Sequence, residues 1–393
     1  MSELLEATSP KALTPAVLRS LAGITGKAVV SVAIPTQRAT AEPQQNALGL
    51  KSATQRIEQQ LAQRGLEPHA AGRYTGVLER LQADEVFWSH QLHGLCVIVW
   101  DDGWRAVRLP YPVEARAVVD TRPHLQPLLP GVAEQGMFYV LALSQRHVRL
   151  LRASSVDVAP VDLSGLGIPA RIEDALPDED LQSPQLHARS GGAGGRMAIF
   201  HGHGDSGEFE RQILDKYLRE LARGIDDLLA DDGRPLVLAG VEEVCAQFRE
   251  HTGLRTVLAD EVSGNPDDAL DAELRDAAWP LVEPVLRRPL EDTVERFEAH
   301  HGTGLALADL PEVLMSAAMG RVASLLVRSG AERWGRFEQT EGLMADRAQR
   351  QDPGDENLVE QAIALVLDRG GHAYVLEADA MPADADLAAV CRY

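Results

Sequence analysis

The sequence predicts a multidomain α/β protein, and three observations carry that reading. At 393 residues the chain is longer than one hydrophobic core normally serves. A hydrophobic content of 45% with charges of both signs belongs to a folded chain and not to a disordered one. Along most of the length, β-branched runs alternate with amphipathic stretches, which is the pattern of sheets covered by helices. No internal repeat recurs at a fixed period.

A first domain of mixed α/β character is expected over residues 1–130. Its opening helix starts at Thr14, where Pro15 suits the first helical position, and carries Leu18 and Leu21. The run Ala28 to Thr36 reads as a buried strand by its β-branched content. Two helical stretches follow, around Ala47 to Gln63 and Gly76 to Leu81, and then three strands in GLCVIVW, WRAVRLP and EARAVVD. Pro123, Pro127 and Pro130 mark a turn-rich connector, which places the boundary near Gly131.

The middle domain is expected over 131–265. MFYVLALSQ, RHVRLLRA and SVDVAPVDL read as an antiparallel meander with tight turns. An acidic, proline-containing stretch leads into a glycine-rich segment, after which a helix runs from about Glu208 to Ala230. Its apolar positions Phe209, Ile213, Leu214, Tyr217, Leu218, Leu221, Ile225 and Leu228 form one broad stripe. Asp205 suits its N-cap, with Glu208 three residues on. PLVLAGVE reads as a buried strand and EVCAQFREHTG as a helix.

The last domain, 266–393, opens with helical sequence in which Pro280, Pro284 and Pro289 are each expected to kink a helix or to start one. LPEVLMSAAMG reads as a helix stopped by Gly320, RVASLLVRS as a strand, and ENLVEQAIALVLDRGG as a helix. HAYVLEA and LAAVCRY complete the set as strands, and RAQRQDPGDEN reads as a solvated loop. Such alternation implies a layered α/β domain. Trp88, Trp100, Trp104, Trp279 and Trp334 are expected in cores or at their edges.

A net charge of −21 repels nucleic acid and anionic membrane at long range, so any RNA contact must be a local basic patch on an acidic body. The start MSELLEATSP has acids where a secretory leader would be basic. No apolar run approaches the roughly 20 residues that span a bilayer. Cys96, Cys245 and Cys391 lie far apart without metal-site spacing and are expected to be reduced and buried. Together these features imply a cytoplasmic protein.

The chemically informative stretch is Ser190 to Gly207, SGGAGGRMAIFHGHGDSG, with seven glycines in eighteen residues. Glycine loses the most backbone entropy on ordering, so this segment is expected to be a mobile connector or a reaching arm. It lacks the Gly-Lys-Ser/Thr ending of a phosphate loop and the strand-to-helix setting of a dinucleotide site. His201, His203 and Asp205 could supply metal ligands, although no second ligand pair stands at a defined spacing, and no metal or cofactor is expected. No nucleophile elbow is present. Arg189, Arg196, Arg211, Lys216, Arg219 and Arg223 give the segment and its helix a local cationic bias.

The order of parts, with the phrases HGHGDSG, PLVLAGVE and GRVASLLV, resembles the archaeal–eukaryotic class 1 peptide-chain release factor and Pelota family, most closely its bacterial members. The resemblance covers most of residues 131–393. It implies a ribonuclease-H-like middle domain bearing the glycine loop, and a last domain similar to kink-turn-binding ribosomal proteins that contacts partners such as a translational GTPase. In termination factors that loop carries Gly-Gly-Gln and directs water onto the peptidyl-tRNA ester. Here Gly191 and Gly192 fit the glycine pair but Ala193 follows, and the alternative pair Gly194 and Gly195 is followed by Arg196. The resemblance therefore implies a ribosome-associated factor of rescue or hibernation without the glutamine's part in peptidyl-tRNA hydrolysis. Its ribosome- or RNA-binding loop would comprise Gly191, Gly192, Ala193, Gly194, Gly195, Arg196, His201 and His203. Phosphate contacts would come from Arg189, Arg211 and Lys216; neither DNA nor membrane is an expected partner. Two other readings stay open: a non-enzymatic interaction or stress protein that kept the fold, and a metal-dependent hydrolase or nuclease using His201, His203 and Asp205.

Overall fold

The structure, a computed structural model, describes residues 13–37, 44–132, 137–144, 147–155, 157–164, 167, 205–352 and 354–393, with the backbone alone for 44, 132 and 205–210. It is a multidomain α/β protein whose chain divides into two compact units. One joins Met1–Gln135 to Arg287–Tyr393, and the other is Gly136–Leu286.

In the first unit, α1 (Pro15–Ala22) begins as the sequence requires. Thr14 is the N-cap, its hydroxyl accepting from the Val17 N–H at 3.2 Å, which satisfies one of the donors a helix start leaves open. Strand β1 (Val29–Pro35) follows, then α2 (Gln44–Gln63), α3 (Pro68–Gln82), α4 (Glu85–Trp88), β2 (Gly94–Trp100), β3 (Gly103–Leu109) and β4 (Arg116–Asp120). The strands form an antiparallel sheet in the order β3-β2-β1-β4. β1 is buried without interruption from Val29 to Ile34, Ser31 included, because both its faces are covered. Val30, Val32 and Ile34 pack with Leu50, Ile57 and Leu78 of α2 and α3, while Val29 and Ala33 face a second core.

That second core is shared with the end of the chain. After β4 comes α5 (Leu129–Val132); further on lie β10 (Ala306–Leu307), α9 (Leu310–Ala318), β11 (Val322–Arg328), β12 (Trp334–Glu338), β13 (Gly342–Arg347), β14 (Glu356–Asn357), α10 (Leu358–Asp368), β15 (His372–Leu376) and β16 (Leu387–Cys391). Strands β10-β16-β11-β15 form one sheet and β13-β12-β14 a smaller one. Leu314 and Val313 of α9 and Ile363 and Val366 of α10 join Leu18, Leu21 and Val29 in a single cluster. Gly320 ends α9 at φ 72°, with the Arg321 N–H reaching the Ser316 carbonyl at 2.9 Å, a C-terminal turn that glycine tolerates best.

Two expectations for the last part are refined. The stretch 347–357 is exposed at Ala348, Gln349, Gln351, Asp352 and Gly354, as a solvated loop should be, but it is anchored by Asp355, which is fully buried and accepts from Arg347 Nη1 at 2.7 Å and from the N–H groups of Gln351 and Asp352. The Asp355 charge is paired within the fold and so needs no solvent. Of the two roles expected for the prolines, a kink or a helix start, the second does not apply: they lie inside one helix, α8 (Asp271–Ala299). Pro280, Pro284 and Pro289 are all exposed, so water can serve the carbonyls that lose their helical partner, and the buried row Leu274, Ala278, Val282, Leu286 is undisturbed.

The second unit is a three-layer arrangement. β5 (Phe138–Leu143), β6 (Val148–Ala153) and β7 (Val158–Val161) form the expected meander. β8 (Leu236–Gly240) and β9 (Val257–Ser263) extend it in parallel to give the order β7-β6-β5-β8-β9. β9 had no counterpart in the sequence reading, because its exposed Asp260 and Glu261-bearing edge interrupts the apolar run. On one face lie α6 (Asp205–Leu229) and α7 (Glu242–His251); α8 covers the other through residues up to Leu286. Among the described residues no helix is long and apolar enough to cross a membrane.

Candidate nucleic-acid interface

The candidate site is the solvent side of α6, the helix that directly follows the glycine-rich segment. Its position is set by the opposite side. Tyr217, Leu218, Leu221, Ala222, Ile225 and Leu229 are buried against Tyr139, Leu141 and Leu143 of β5 and Cys245 and Phe248 of α7. Helical spacing then turns Lys216, Arg219 and Arg223 outward on one line, with Arg211 exposed nearby.

Three aspartates hold this face in place. Asp215 bridges two elements: its Oδ2 accepts from Arg219 Nη2 at 2.6 Å and its Oδ1 meets His251 Nε2 of α7 at 2.7 Å. Asp226 accepts from the Thr252 hydroxyl at 2.5 Å and from the Gly253 N–H at 2.7 Å, closing the exit of α7 onto α6. Beyond α6, Asp232 takes the Tyr139 hydroxyl at 2.8 Å and Arg234 Nη1 at 3.1 Å. Burial, followed by the bond to Asp232, raises the Tyr139 phenol, so it serves there as a neutral donor.

Lysine and arginine presented outward from a rigid helix suit phosphate oxygens, which position a nucleic acid without reading its sequence. Thiol chemistry finds little support. All three cysteines are free and buried, as expected. Burial pushes Cys96 up to about 12 and Cys245 up to about 11, the latter aided by Glu261; thiols so raised stay protonated and unreactive at neutral pH. Among the described residues no group of three or more His, Cys, Asp and Glu is arranged to hold a metal ion.

Of the residues singled out from sequence, Arg211 and Lys216 stand exposed on α6. Asp205 is the first residue of that helix, its side chain outside the description. Arg189, Gly191, Gly192, Ala193, Gly194, Gly195, Arg196, His201 and His203 lie outside the described residues. The sequence reading missed His251 and Asp226. Both act through partners more than twenty-five residues away, a relation that helical spacing cannot show.

The amino-acid sequence of residues 137–321 matches the model of bacterial archaeo-eukaryotic release factor family 3. That stretch runs from β5 to the residue before β11 and contains the whole glycine-rich segment and α6. No curated protein matches the chain. Among solved structures, it is similar to ribosome-bound archaeal Pelota, from a model with ABCE1, at 12% identity over 97% of this chain and 95% of that one, with a TM-score of 0.38. The archaeal translation termination factor aRF1 is 16% identical over 97% and 99% of the two chains, with a TM-score of 0.25. Dom34 of S. cerevisiae, described as a translation termination-like factor interacting with Hbs1, is 10% identical over 76% and 79%, with a TM-score of 0.35. The resemblance read from the sequence is borne out over residues 137–321, the stretch through which this chain is similar to bacterial family 3 of the archaeo-eukaryotic release factors.

Proposed function

We propose that the protein is a cytoplasmic, ribosome-associated factor that acts in rescue or hibernation and not in ordinary termination. The observation that carries this reading is the coincidence of the family match with the unit that bears the glycine-rich segment and the cationic side of α6. The five-stranded mixed sheet, in which β6 alone runs against its neighbours, supports a ribonuclease-H-like base for that segment. On this reading Gly191, Gly192, Ala193, Gly194, Gly195, Arg196, His201 and His203 enter the ribosome, and Arg189, Arg211 and Lys216 contact phosphate. Ala193 stands where a hydrolytic relative would carry glutamine; its N–H can still stabilise an oxyanion, but it offers no side chain to place water.

The acidity of the whole chain makes such binding local and salt-sensitive. Sedimentation of lysates from growing, stationary and stressed cells through sucrose gradients tests it. Co-migration with ribosomal particles in stationary or stressed cells is the expected result. Absence from those fractions in every condition, at low salt as well as high, refutes it.

A further inference from the structure

A cleft of about 400 Å³ lies beside β15, in the unit built from both ends of the chain. β15 is an edge strand, paired with β11 on one side. The Ser329 N–H donates to the Leu376 carbonyl at 2.7 Å, which sets the phase of the parallel ladder. The backbone groups of His372, Tyr374 and Leu376 turn toward β11, and those of Ala373 and Val375 turn away from it. Among the described residues nothing donates to or accepts from those outward groups. Val375 lines the cleft, with Val113, Pro127 and Pro130 as its apolar walls.

The polar lining has one sign once internal pairs are set aside. Arg116 is bonded to Glu332, and His124 to Glu360 at 2.5 Å. Glu114 and Glu377 also line the cleft; both are exposed, and neither is in an ion pair among the described residues. A strand edge with unused main-chain groups recruits another strand through them, and an acidic rim selects the charge of that strand.

We propose that this cleft binds an extended, basic segment of a partner protein, which adds to β15 as a further strand. The backbone of Val375 supplies the main-chain bonds, the apolar walls take alternate side chains, and Glu114 and Glu377 receive lysine or arginine. Nucleic acid is disfavoured, because the same two carboxylates would face its phosphates. The inference does not depend on ribosome association.

The test uses the full chain and a fluorescein-labelled, blocked peptide of alternating lysine and valine, followed by anisotropy. Saturable binding is expected, weakened about tenfold or more by the double substitution Glu114→Lys with Glu377→Lys. A glutamate–valine peptide, and a lysine–valine peptide N-methylated at every second residue, should each bind at least about tenfold more weakly, since one lacks the charge and the other the main-chain donors. The proposal is overturned if no saturable binding occurs, or if either control peptide or the doubly substituted protein binds as tightly as the reference pair. Displacement of the lysine–valine peptide by oligouridylate, with no effect of the Glu114 and Glu377 changes, would likewise overturn it in favour of a nucleic-acid surface.

Discussion

His124 and Glu360 meet inside the first unit, Nδ1 to Oε1 at 2.5 Å, with 7% and 5% of their side chains exposed. The same carboxylate accepts from the Leu125 N–H at 2.8 Å and the Gln126 N–H at 3.4 Å. One side chain of α10 thus organises the turn after β4, more than two hundred residues away in sequence. Glu360→Ala would leave an imidazole and two N–H groups buried without acceptors. Its expected cost is about 3–5 kcal/mol, the range for breaking a buried pair from one side. Glu360→Gln keeps one acceptor oxygen and should cost less. Equilibrium urea unfolding of the two variants checks the order as well as the size.

A second joint in that unit titrates. Asp120, with 6% of its side chain exposed, takes Arg64 Nη2 at 3.0 Å, Arg350 Nη2 at 3.1 Å and the N–H groups of Thr121 and Asn357. Burial outweighs these partners and raises its pKa from 3.8 to about 6. The folded state therefore holds a proton that the unfolded state releases. This contribution to stability is fully present below about pH 4 and is lost as the pH rises through about 6. It amounts to something on the order of 3 kcal/mol. Asp120→Asn removes it, so the unfolding free energy of the wild type minus that of the variant should grow by about this amount between pH 7.5 and pH 4. A flat difference across that window would show that the arginines hold the carboxyl ionised.

Gly240 is required by packing in the second unit. A Cβ there would lie 2.9 Å from the Leu143 carbonyl oxygen and 3.1 Å from Cys245 Sγ, and the ladder that pairs Leu143 with Gly240 prevents retreat. Gly240→Ala should cost about 1–3 kcal/mol, as overpacking does. Gly72 is the contrasting case: it is exposed within α3, with nothing within 4 Å of a built Cβ. Gly72→Ala should stabilise by roughly 0.5–1 kcal/mol, through helix propensity alone. Thermal melts of the two variants should therefore move in opposite directions.

What could be read from sequence was what one segment decides alone. The two-faced burial of β1, the β5–β6–β7 meander and the buried stripe of α6 all follow from local periodicity. The Thr14 cap and the Gly320 stop follow from short-range chemistry. What stayed illegible was decided by distant partners. Gln60 closes the outer edge of β4, its Oε1 accepting from the Val119 N–H and its Nε2 donating to the Ala117 carbonyl, both at 2.8 Å; nothing in the pattern of α2 announces that role. The β12–β13 hairpin was missed because its strands are half polar and meet through a bulge. Asp355 read as solvated because its acidic neighbours are visible in sequence and its bond to Arg347 is not. At the candidate interface, the cationic line of α6 was legible, whereas the anchoring of Asp215 to His251 required α7 to be in place.

The cationic line of α6 supplies the most direct test of the proposed function that leaves the core untouched. Arg211, Lys216 and Arg223 are exposed, while the residues that hold the helix, from Tyr217 to Leu229, point the other way. Reversing all three to glutamate should leave the melting temperature nearly unchanged, since surface substitutions away from special features usually shift stability by no more than about 0.5 kcal/mol. Binding to purified ribosomes, followed by pelleting, should fall by about tenfold or more, and the remainder should depend less steeply on salt because fewer phosphates are neutralised. Arg219 makes an internal comparison. Its guanidinium is already bonded to Asp215, so Arg219→Glu alone should weaken binding less than Arg223→Glu alone. Equal losses from those two single changes would mean that net charge, and not the placement of individual side chains on α6, governs the contact.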